Sequence, residues 1–479
     1  MRSQFLKNLF LLQGLNLIIK PFWLLVVDRT AQNILGNTYG EYYIALNLTL
    51  VFSILLDIGI QNFNNTHVAS DTSFFKQNFK TLFTLKTLLS LIYFALVFTL
   101  GYFKDIQSSL LLILLFSQIF SSFILYLRSN INGLHHYKID SFLSVSDKTF
   151  AIIFCIAFFY SNLVNIYYFA VAQLVALFIN FLIALFINIK FYSQIPDSPT
   201  TNNVPRVRML IVKSFPFAML FALMALYTRL DVLLMNLLLD NPNFYSALYA
   251  QSYRLLDASS MFAMLFAGLL LPMYSKLITQ KQDVKPLTQT AFTILSLIAI
   301  VVSMSAILFD ESIMKTLYNY QDIESLKLSV KTFRMIMLSF IPISFVFIFS
   351  TLLTAQKDIK FLITAALIAL LLNLALNMYL IPRIQVYGAS IAALLTQSTF
   401  ALLCTIRCFQ LFHFKLNISK LIKYVIFIFS LVGVFVLIKG LDILWINLII
   451  FVIMSFVLSV LLKIVNVKNF LSFFVSEKQ

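Results

Sequence analysis

The sequence predicts an all-α polytopic membrane protein with about fourteen transmembrane helices, and its composition is the first reason. Hydrophobic residues make up 61% of the 479 residues and charged residues only 11%. A soluble domain carries about 25% charged residues, so this chain lacks the polar side chains that would cover a soluble surface. Because it has 51 Phe and only 10 Gly, a disordered or low-complexity chain is also excluded.

The recurrence of long apolar windows is the second reason. A hydrocarbon core of about 30 Å is crossed by about 20 apolar residues. The first window lacks a small-residue cleavage site after it, which indicates a retained helix rather than a signal peptide. Pro382 predicts the boundary between the eleventh and twelfth windows, since proline cannot continue the helical ladder. The predicted spans lie near residues 9–27, 42–62, 83–103, 109–127, 142–160, 166–189, 213–239, 245–272, 287–309, 332–353, 361–381, 388–406, 421–438 and 443–462.

The distribution of Lys and Arg between the loops predicts the orientation. With the N-terminus on the inner side, basic residues outnumber acidic ones several-fold in the inner loops and not in the outer loops. This is the bias of cytoplasmic loops, so both termini are predicted to be cytoplasmic. The net charge of +16 is explained by insertion and by attraction to anionic lipids. It requires no nucleic acid partner.

The spans divide into two predicted lobes in a parallel pseudo-repeat. The segment Tyr39–Tyr43 resembles Tyr245–Tyr249, and Gly133–Lys138 occupies the position that Thr354–Lys360 occupies later in the chain. Six spans separate the members of each pair, so the repeats have the same orientation. The predicted organisation is an N-terminal lobe of helices 1–6 (1–195), a cytoplasmic linker (196–209), a C-terminal lobe of helices 7–12 (210–412), and two extra helices with a cytoplasmic tail (413–479).

Three parts of the chain resemble the polysaccharide transporters, the O-antigen-type flippases, of the multidrug/oligosaccharidyl-lipid/polysaccharide exporter superfamily. The first, Ile34–Gln61, has the pattern of LG, YG with an aromatic residue, and a later Asp-aliphatic-Gly. The second comprises Ser214–Met235 and Leu248–Asp257, closed by Leu269–Leu277. The third, Asn373–Gln397, has Asn-x3-Asn, an aliphatic-Pro pair and a Gly-Ala-Ser helix start. The third pattern is the most specific.

This resemblance implies a flippase that moves an undecaprenyl-diphosphate-linked oligosaccharide from the inner to the outer leaflet of the bacterial inner membrane. The implied mechanism is alternating access, with H⁺ or Na⁺ as a coupling ion. The lipid-linked oligosaccharide and the bilayer are then its partners, and polysaccharide, O-antigen or lipopolysaccharide biosynthesis is the process served. A lipid II flippase or a multidrug exporter of the same superfamily is the alternative.

Four charged residues on the seventh and eighth spans form one candidate site. Asp231 and Arg229 precede the turn at Pro242, and Arg254 and Asp257 follow it at similar distances along the sequence. All four residues therefore lie at a similar depth in the membrane, about 17–22 Å from the turn. Two interpretations remain open. The four residues form a closed network with pairs Asp231–Arg254 and Arg229–Asp257, or Arg229 and Arg254 bind the diphosphate through their planar guanidinium groups.

Lys20 and Asp57 are the remaining candidates. A lysine within a span is costly unless it faces water or a partner, and Lys20 precedes Pro21, which predicts a kink. We therefore predict that Lys20 joins Arg229 and Arg254 in binding the diphosphate. Asp57 lies just before Gly59. Asp57, Asp231 and Asp257 are assigned either to ion coupling or to a charge network. For Asp57 a structural role is the alternative, in which it caps a helix or pairs with Lys86.

No feature of the sequence predicts an enzyme, a metal site or a cofactor. Cys404 and Cys408 share a helix face, but no further ligand completes a site, and together with Cys155 they are expected to be small buried hydrophobes. The predicted external loops are short and contain no His, and no phosphate-binding Gly-rich loop or nucleophile elbow is present.

Overall fold

The computed structural model consists of helices joined by short turns, and it describes residues 14, 16–161, 163, 165–195, 207–320, 322–414, 417–440 and 443–465. The start of the first span, most of the linker and the end of the predicted tail lie outside these residues. In chain order the helices are α1 (16–35), α2 (Thr38–Val51), α3 (Ile60–Ser70), α4 (Thr72–Tyr102), α5 (Ser108–Gly133), α6 (Tyr137–Tyr160), α7 (Ile166–Gln194), α8 (Val207–Leu238), α9 (Pro242–Thr279), α10 (Lys285–Leu308), α11 (Asp310–Leu317), α12 (Ile323–Leu338), α13 (Phe340–Ala355), α14 (Ile359–Phe412), α15 (Ile418–Ile438) and α16 (Leu444–Leu461).

The predicted all-α, multi-span fold is confirmed. Within the described residues, eleven helices are long and apolar enough to cross a membrane. One of them, α14, has 54 residues and contains two non-helical residues, Ile384 and Gln385, so it accounts for two predicted spans. The break lies two residues after Pro382, where the sequence predicted a helix end. Helices α12 and α13, which meet at Ser339, form one span.

The first two predicted spans are irregular, which the apolar windows did not indicate. Within α1, the segment Trp23–Asp28 is a π-helix, a feature that is frequently found at functional sites. The second predicted span, 42–62, is wrong as a continuous helix. It consists of α2, a 3₁₀ turn at Ser53–Leu56 and α3, with Ile58 and Gly59 at positive φ between them.

The chain forms two compact units. The first contains Met1–Ala250 with Asn377–Gln385, and the second contains Gln251–Leu376 with Val386–Gln479. In the first unit, apolar side chains of α3, α4, α5 and α7 form a core around Tyr126 and Leu127. In the second unit, α10 packs against α15 and α16 around Phe427.

A row of amide side chains on α7 holds the helices of the first unit together. Gln173 donates to the hydroxyl of Tyr42 at 2.9 Å, and Asn180 accepts from Ser146 at 2.8 Å. Asn188 accepts from Asn130 at 2.9 Å. Polar side chains of this kind join helices in lipid, where van der Waals packing otherwise dominates. These residues therefore have a structural role.

Candidate functional site

Asp231 lies at the centre of a buried polar site in the first unit. Its carboxylate is 1% exposed and accepts hydrogen bonds from the Tyr249 hydroxyl and from the Asn377 amide, each at 2.7 Å. Both donors belong to segments that carried the family resemblance. The sequence placed Asp231 in a span, but the two donors lie 18 and 146 residues away along the chain.

The two asparagines of the Asn-x3-Asn motif make different bonds. Residues four apart lie on one face of a helix, and both Asn373 and Asn377 are fully buried. Asn377 bonds to Asp231, whereas Asn373 donates to the Thr396 hydroxyl beyond the break in α14, at 3.4 Å. The two asparagines of the motif therefore have separate partners.

Arg254 and Asp257 lie on one face of α9, as their spacing predicted. The guanidinium of Arg254 is 3.8 Å from the Asp257 carboxylate. Arg229 lies half-buried on α8, two residues before Asp231. The predicted cross-helix pairs Asp231–Arg254 and Arg229–Asp257 stay predictions, as does the alternative that the arginines bind a diphosphate.

Lys20 lies at the contact between α1 and α6. Two contacts bracket it: the Asn16 amide donates to the Ser144 hydroxyl at 2.9 Å, and the Lys148 ammonium lies 5.1 Å from the centre of the Trp23 ring. Both pairings advance in the same direction along the two helices, so α1 and α6 run parallel here. Lys20 consequently lies among charged groups of other helices.

Those charged groups form the N-terminal basic cluster, which consists of Lys20, Arg128 and Lys148 with Asp140 and Asp147. Asp147, Arg128 and Lys148 are the charges that act on the Lys20 ammonium. Arg128 is bonded to Asp140 at 2.7 Å, and Lys148 lies 4.0 Å from Asp147. The cluster has three basic side chains and two carboxylates, a composition that suits an anion.

Sequence reasoning did not include Arg128 and Lys148. Arg128 lies at the inner end of its predicted span and Lys148 near the inner end of its own, where basic side chains can reach the membrane surface. A usable signal was present, since the first and fifth spans both begin on the predicted inner side and both contain a charged residue, Lys20 in the first and Asp147 in the fifth. Which spans are neighbours is decided by packing, however, and hydropathy does not contain that information.

Both structural alternatives for Asp57 are present together. The Lys86 ammonium lies 3.3 Å from its carboxylate, and the backbone N–H of Gln61, in the first turn of α3, donates to it at 3.3 Å. The Lys86 side chain is 0% exposed. Asp57 thus stabilises the break between α2 and α3, and its assignment to ion coupling has no support from these contacts.

Asp28 is a buried carboxylate that the sequence reasoning missed. It is 0% exposed, lies at the end of the π-helical segment and accepts from the Tyr39 hydroxyl and the Gln32 amide, both at 2.9 Å. Like Asp231, it is held by one tyrosine hydroxyl and one amide. It was overlooked because the first predicted span ended one residue before it.

Metal-binding side chains do not cluster in the described part of the chain. No group of three or more His, Cys, Asp and Glu that could hold a metal ion occurs among these residues. Cys155, Cys404 and Cys408 are free and buried, and Cys408 donates to the carbonyl of Phe349. The cysteines thus pack as the sequence predicted.

The all-helical fold and its buried charged sites define the class of the protein: a multi-pass membrane protein with the fold of transporters and flippases. Among solved structures, the lipid II flippase MurJ in an inward closed conformation is similar with a TM-score of 0.67 and 16% identity, over 96% of this chain and 99% of that one. A mutant of the Vibrio cholerae MATE transporter VcmN is similar with a TM-score of 0.57 and 15% identity, over 85% and 98%.

A third structure with this fold is a MOP superfamily transporter from Pyrococcus furiosus, described by the reverse polarity of its binding pocket. Its TM-score is 0.59 with 12% identity, over 84% of this chain and 97% of that one. At these identities the likeness shows the fold alone. No curated protein matches the chain by sequence.

The family is shown by sequence. The model of the polysaccharide biosynthesis protein family matches residues 5–278, which is more than half of the chain, and the chain belongs to this family. The MatE model also matches, over residues 216–379. The resemblance to the polysaccharide transporters of the MOP superfamily is therefore confirmed.

Proposed function

We propose that the protein is a flippase that moves an undecaprenyl-diphosphate-linked oligosaccharide from the inner to the outer leaflet. The observation that carries this proposal is the N-terminal basic cluster. Three cations and two carboxylates gather where α1 meets α6, within a family of polysaccharide biosynthesis proteins. Because ionisable residues inside a membrane are costly, an excess of basic side chains supports an anionic substrate.

The basic cluster suits the chemistry of a diphosphate. Arg128 and Lys148 are each oriented by a carboxylate, at 2.7 and 4.0 Å, so their charges are partly compensated while the site is empty. The Lys20 ammonium supplies a compact point charge, and the Arg128 guanidinium supplies a planar fork that can bind two phosphate oxygens. Arg229 and Arg254 are proposed as additional diphosphate ligands. The polyprenyl tail would stay in the bilayer during transport.

We further propose that Asp231 binds the coupling ion, H⁺ or Na⁺. Its carboxylate is almost completely buried and is held by a hydroxyl and an amide, groups whose oxygens can also coordinate Na⁺. Protonation or Na⁺ binding would neutralise the charge and change the bonds to Tyr249 and Asn377, which lie on other helices. That linkage provides a physical route from ion occupancy to helix rearrangement.

The proposal also covers the membrane in which the protein lies, its orientation there and its cargo. It would lie in the bacterial inner membrane with both termini in the cytoplasm, and residues 1–195 and 210–412 would be the two lobes that alternate in opening, with residues 413–479 peripheral. O-antigen or another lipopolysaccharide glycan is the proposed cargo. Lipid II transport is the second candidate, supported by the fold shared with MurJ. Export of amphipathic drugs is disfavoured by the basic cluster.

A complementation experiment tests the proposed function. A strain without this gene would be complemented with the natural protein, Lys20→Gln, Lys148→Gln, and the control Lys80→Gln, whose lysine is exposed on α4. Lipid extracts would be probed for polyprenyl-diphosphate-linked oligosaccharide, and surface glycan would be measured in parallel.

We expect accumulated lipid-linked glycan and a bare surface in the deletion strain, rescue by the natural protein and by Lys80→Gln, and poor rescue by the other two variants. Accumulated lipid II would assign the alternative flippase function. Normal lipid pools with increased sensitivity to cationic dyes would contradict the proposal and favour a drug exporter.

A further inference from the structure

The side-chain amides of the first unit fall into two groups. Those of the α7 row are bonded to other helices, as is Asn64 of α3, which donates to the Ser129 hydroxyl at 2.7 Å. In contrast, Gln61, Asn65 and Gln118 are partly exposed, and their side chains form no hydrogen bond within the residues that the structure describes. The bonded amides hold helices together, and the second group lacks that role.

Helices α3 and α5 are parallel and in close contact. Asn64 also donates to the Asn130 side chain of α5, at 2.6 Å. Further along, a Cβ atom at Gly133 of α5 would lie 2.7 Å from the Cβ atom of Val68. Because position 64 meets 129 and 130 while position 68 meets 133, the two helices run in the same direction, and level positions differ by 65 or 66 in number.

The unbonded amides lie on one side of this helix pair. On α3, Gln61 and Asn65 are four residues apart and share a face. On α5, Gln118 shares a face with Ser121, which is also partly exposed, and with Arg128. At 3.6 residues per turn, these two faces are rotated from the α3–α5 contact in opposite senses, which brings them to the same side of two parallel helices. We call Gln61, Asn65, Gln118 and Ser121 the polar face.

One end of the polar face adjoins the N-terminal basic cluster. Arg128, on the same side of α5, is bonded to Asp140 of the cluster at 2.7 Å. The α3–α5 pairing brings Gln61 level with residues 126–127, within about 3 Å of the depth of Arg128. Gln118 lies about 15 Å from Arg128 along the helix axis. In the predicted orientation, the polar face therefore extends from the basic cluster toward the middle of the membrane.

The position of the polar face requires a polar neighbour. Gln61 lies in the second predicted span and Gln118 in the fourth, and an amide without a partner is costly in hydrocarbon. These side chains must therefore contact water or a polar ligand. Each amide offers two donors and a carbonyl acceptor, which match the hydroxyl and acetamido groups of sugars. No member of the polar face is charged, so it suits the sugars of a substrate rather than its diphosphate.

We propose that the polar face binds the sugars that lie next to the diphosphate of the lipid-linked oligosaccharide, and that Gln61 and Gln118 select the glycan through its hydroxyl or acetamido groups. This inference rests on the proposed function, because it assumes a diphosphate at the basic cluster. A glycan that runs from there along the helix pair reaches Gln61 first and Gln118 about 15 Å from Arg128. The bonded amides of α7 take no part in recognition.

A binding experiment with two probes separates recognition of the sugars from recognition of the diphosphate. The probes are undecaprenyl diphosphate and the lipid-linked oligosaccharide extracted from the deletion strain, each presented to the full-length protein in nanodiscs. The variants are Gln61→Ala, Gln118→Ala and both together. Gln77→Ala is the matched control, since the Gln77 amide is likewise partly exposed and unbonded in the described chain but lies on α4.

Each single variant should bind the lipid-linked oligosaccharide about two- to tenfold more weakly, as for loss of one hydrogen bond, and the double variant should lose more. Binding of undecaprenyl diphosphate should stay unchanged, which also shows that the variants are folded. Gln77→Ala should bind both probes like the natural protein, whereas Lys148→Gln should bind both more weakly.

The outcomes distinguish this inference from the proposed function. Unchanged binding of the oligosaccharide by the double variant, or equally weakened binding of both probes, would overturn the assignment of the polar face while the basic cluster keeps its role. A deletion strain without lipid-linked oligosaccharide, or a natural protein that binds neither probe, would overturn the proposed function and this inference with it.

Discussion

The amide of Asn377 donates a 2.7 Å hydrogen bond to the carboxylate of Asp231. It joins the Asn-x3-Asn motif of α14 to a carboxylate on α8, and Tyr249 completes the site from α9. Two segments that looked like separate family signatures are thus parts of one buried polar site. The proposed role of Asp231 in ion coupling depends on this arrangement.

Asp231→Asn is predicted to abolish transport while preserving the fold. Asparagine has nearly the same shape and can still accept from Tyr249, but it cannot be protonated or carry the charge that attracts Na⁺. We expect transport driven by an H⁺ or Na⁺ gradient in proteoliposomes to fall at least about tenfold, as for loss of a group used directly in the working cycle. Asp257→Asn, at a more exposed carboxylate 3.8 Å from Arg254, is the comparison. Equal activity of Asp231→Asn and the natural protein would exclude ion coupling at this site.

Gly40→Val is predicted to separate the start of α2 from the start of α9, where the Asn243 amide donates to the Glu41 carboxylate at 3.1 Å. The added side chain cannot fit 1.9 Å from the Asn243 carbonyl, so α2 must separate from the start of α9. We expect faster labelling of Asn243→Cys by a membrane-impermeant maleimide in the Gly40→Val background. Gly268→Ala is the control, because a Cβ there meets nothing within 4 Å. Slower or unchanged labelling would show that the two helix starts do not separate.

Asn130→Ala is predicted to destabilise the first unit. It removes an acceptor from Asn64 and a donor to Asn188 within a buried network. Hydrogen bonds between membrane helices contribute about 0.6 kcal/mol each, with a maximum of about 1.7, so the free energy of unfolding should fall by about 1–3 kcal/mol. Thermal unfolding in detergent would measure this, with Asn37→Ala, an exposed residue whose side chain makes no capping bond, as the control. A change equal to that of the control would mean that the network contributes nothing.

The start of α12 is predicted to weaken at low pH. The backbone N–H and the hydroxyl of Ser325 donate to the Asp322 carboxylate at 2.6 and 2.8 Å and hold the pKa of this carboxyl below its usual value. A lowered pKa means that the capping contribution is complete above the ordinary aspartate pKa and is lost as the pH falls through the lowered value. Hydrogen exchange at Ser325, corrected for intrinsic rates, should show this loss, and Asp322→Ala should exchange fast at every pH. A pH-independent difference between the two proteins would contradict the assignment.

The spans were predictable from sequence because the membrane imposes one dominant rule. Every backbone group in hydrocarbon must bond within the protein, so a window of about 20 apolar residues becomes a helix whatever surrounds it. Twelve of the predicted spans correspond to the eleven long helices of the described chain. The break at residues 52–59 escaped prediction, since it depends on donors that Lys86 and Tyr93 bring from α4.

Local spacing also predicted short-range contacts within the sites. The i,i+3 spacing of Arg254 and Asp257 matches their observed pairing, and the proximity of Asp57 to the start of α3 matches its bond to Gln61. In a helix these neighbours are set by 3.6 residues per turn. Contacts between distant helices follow no such rule.

By itself, the sequence determined the class of protein, the number of spans, the predicted orientation and the residues that are costly to place in a membrane. Only the tertiary structure decided which of those residues meet: Asp231 with Asn377, Lys20 with the charges of α5 and α6, and Lys86 with the break in the second span. Hydropathy and periodicity indicate, for one helix at a time, which residues face an apolar environment. The neighbours of that helix are selected by packing and polar contacts between distant parts of the chain.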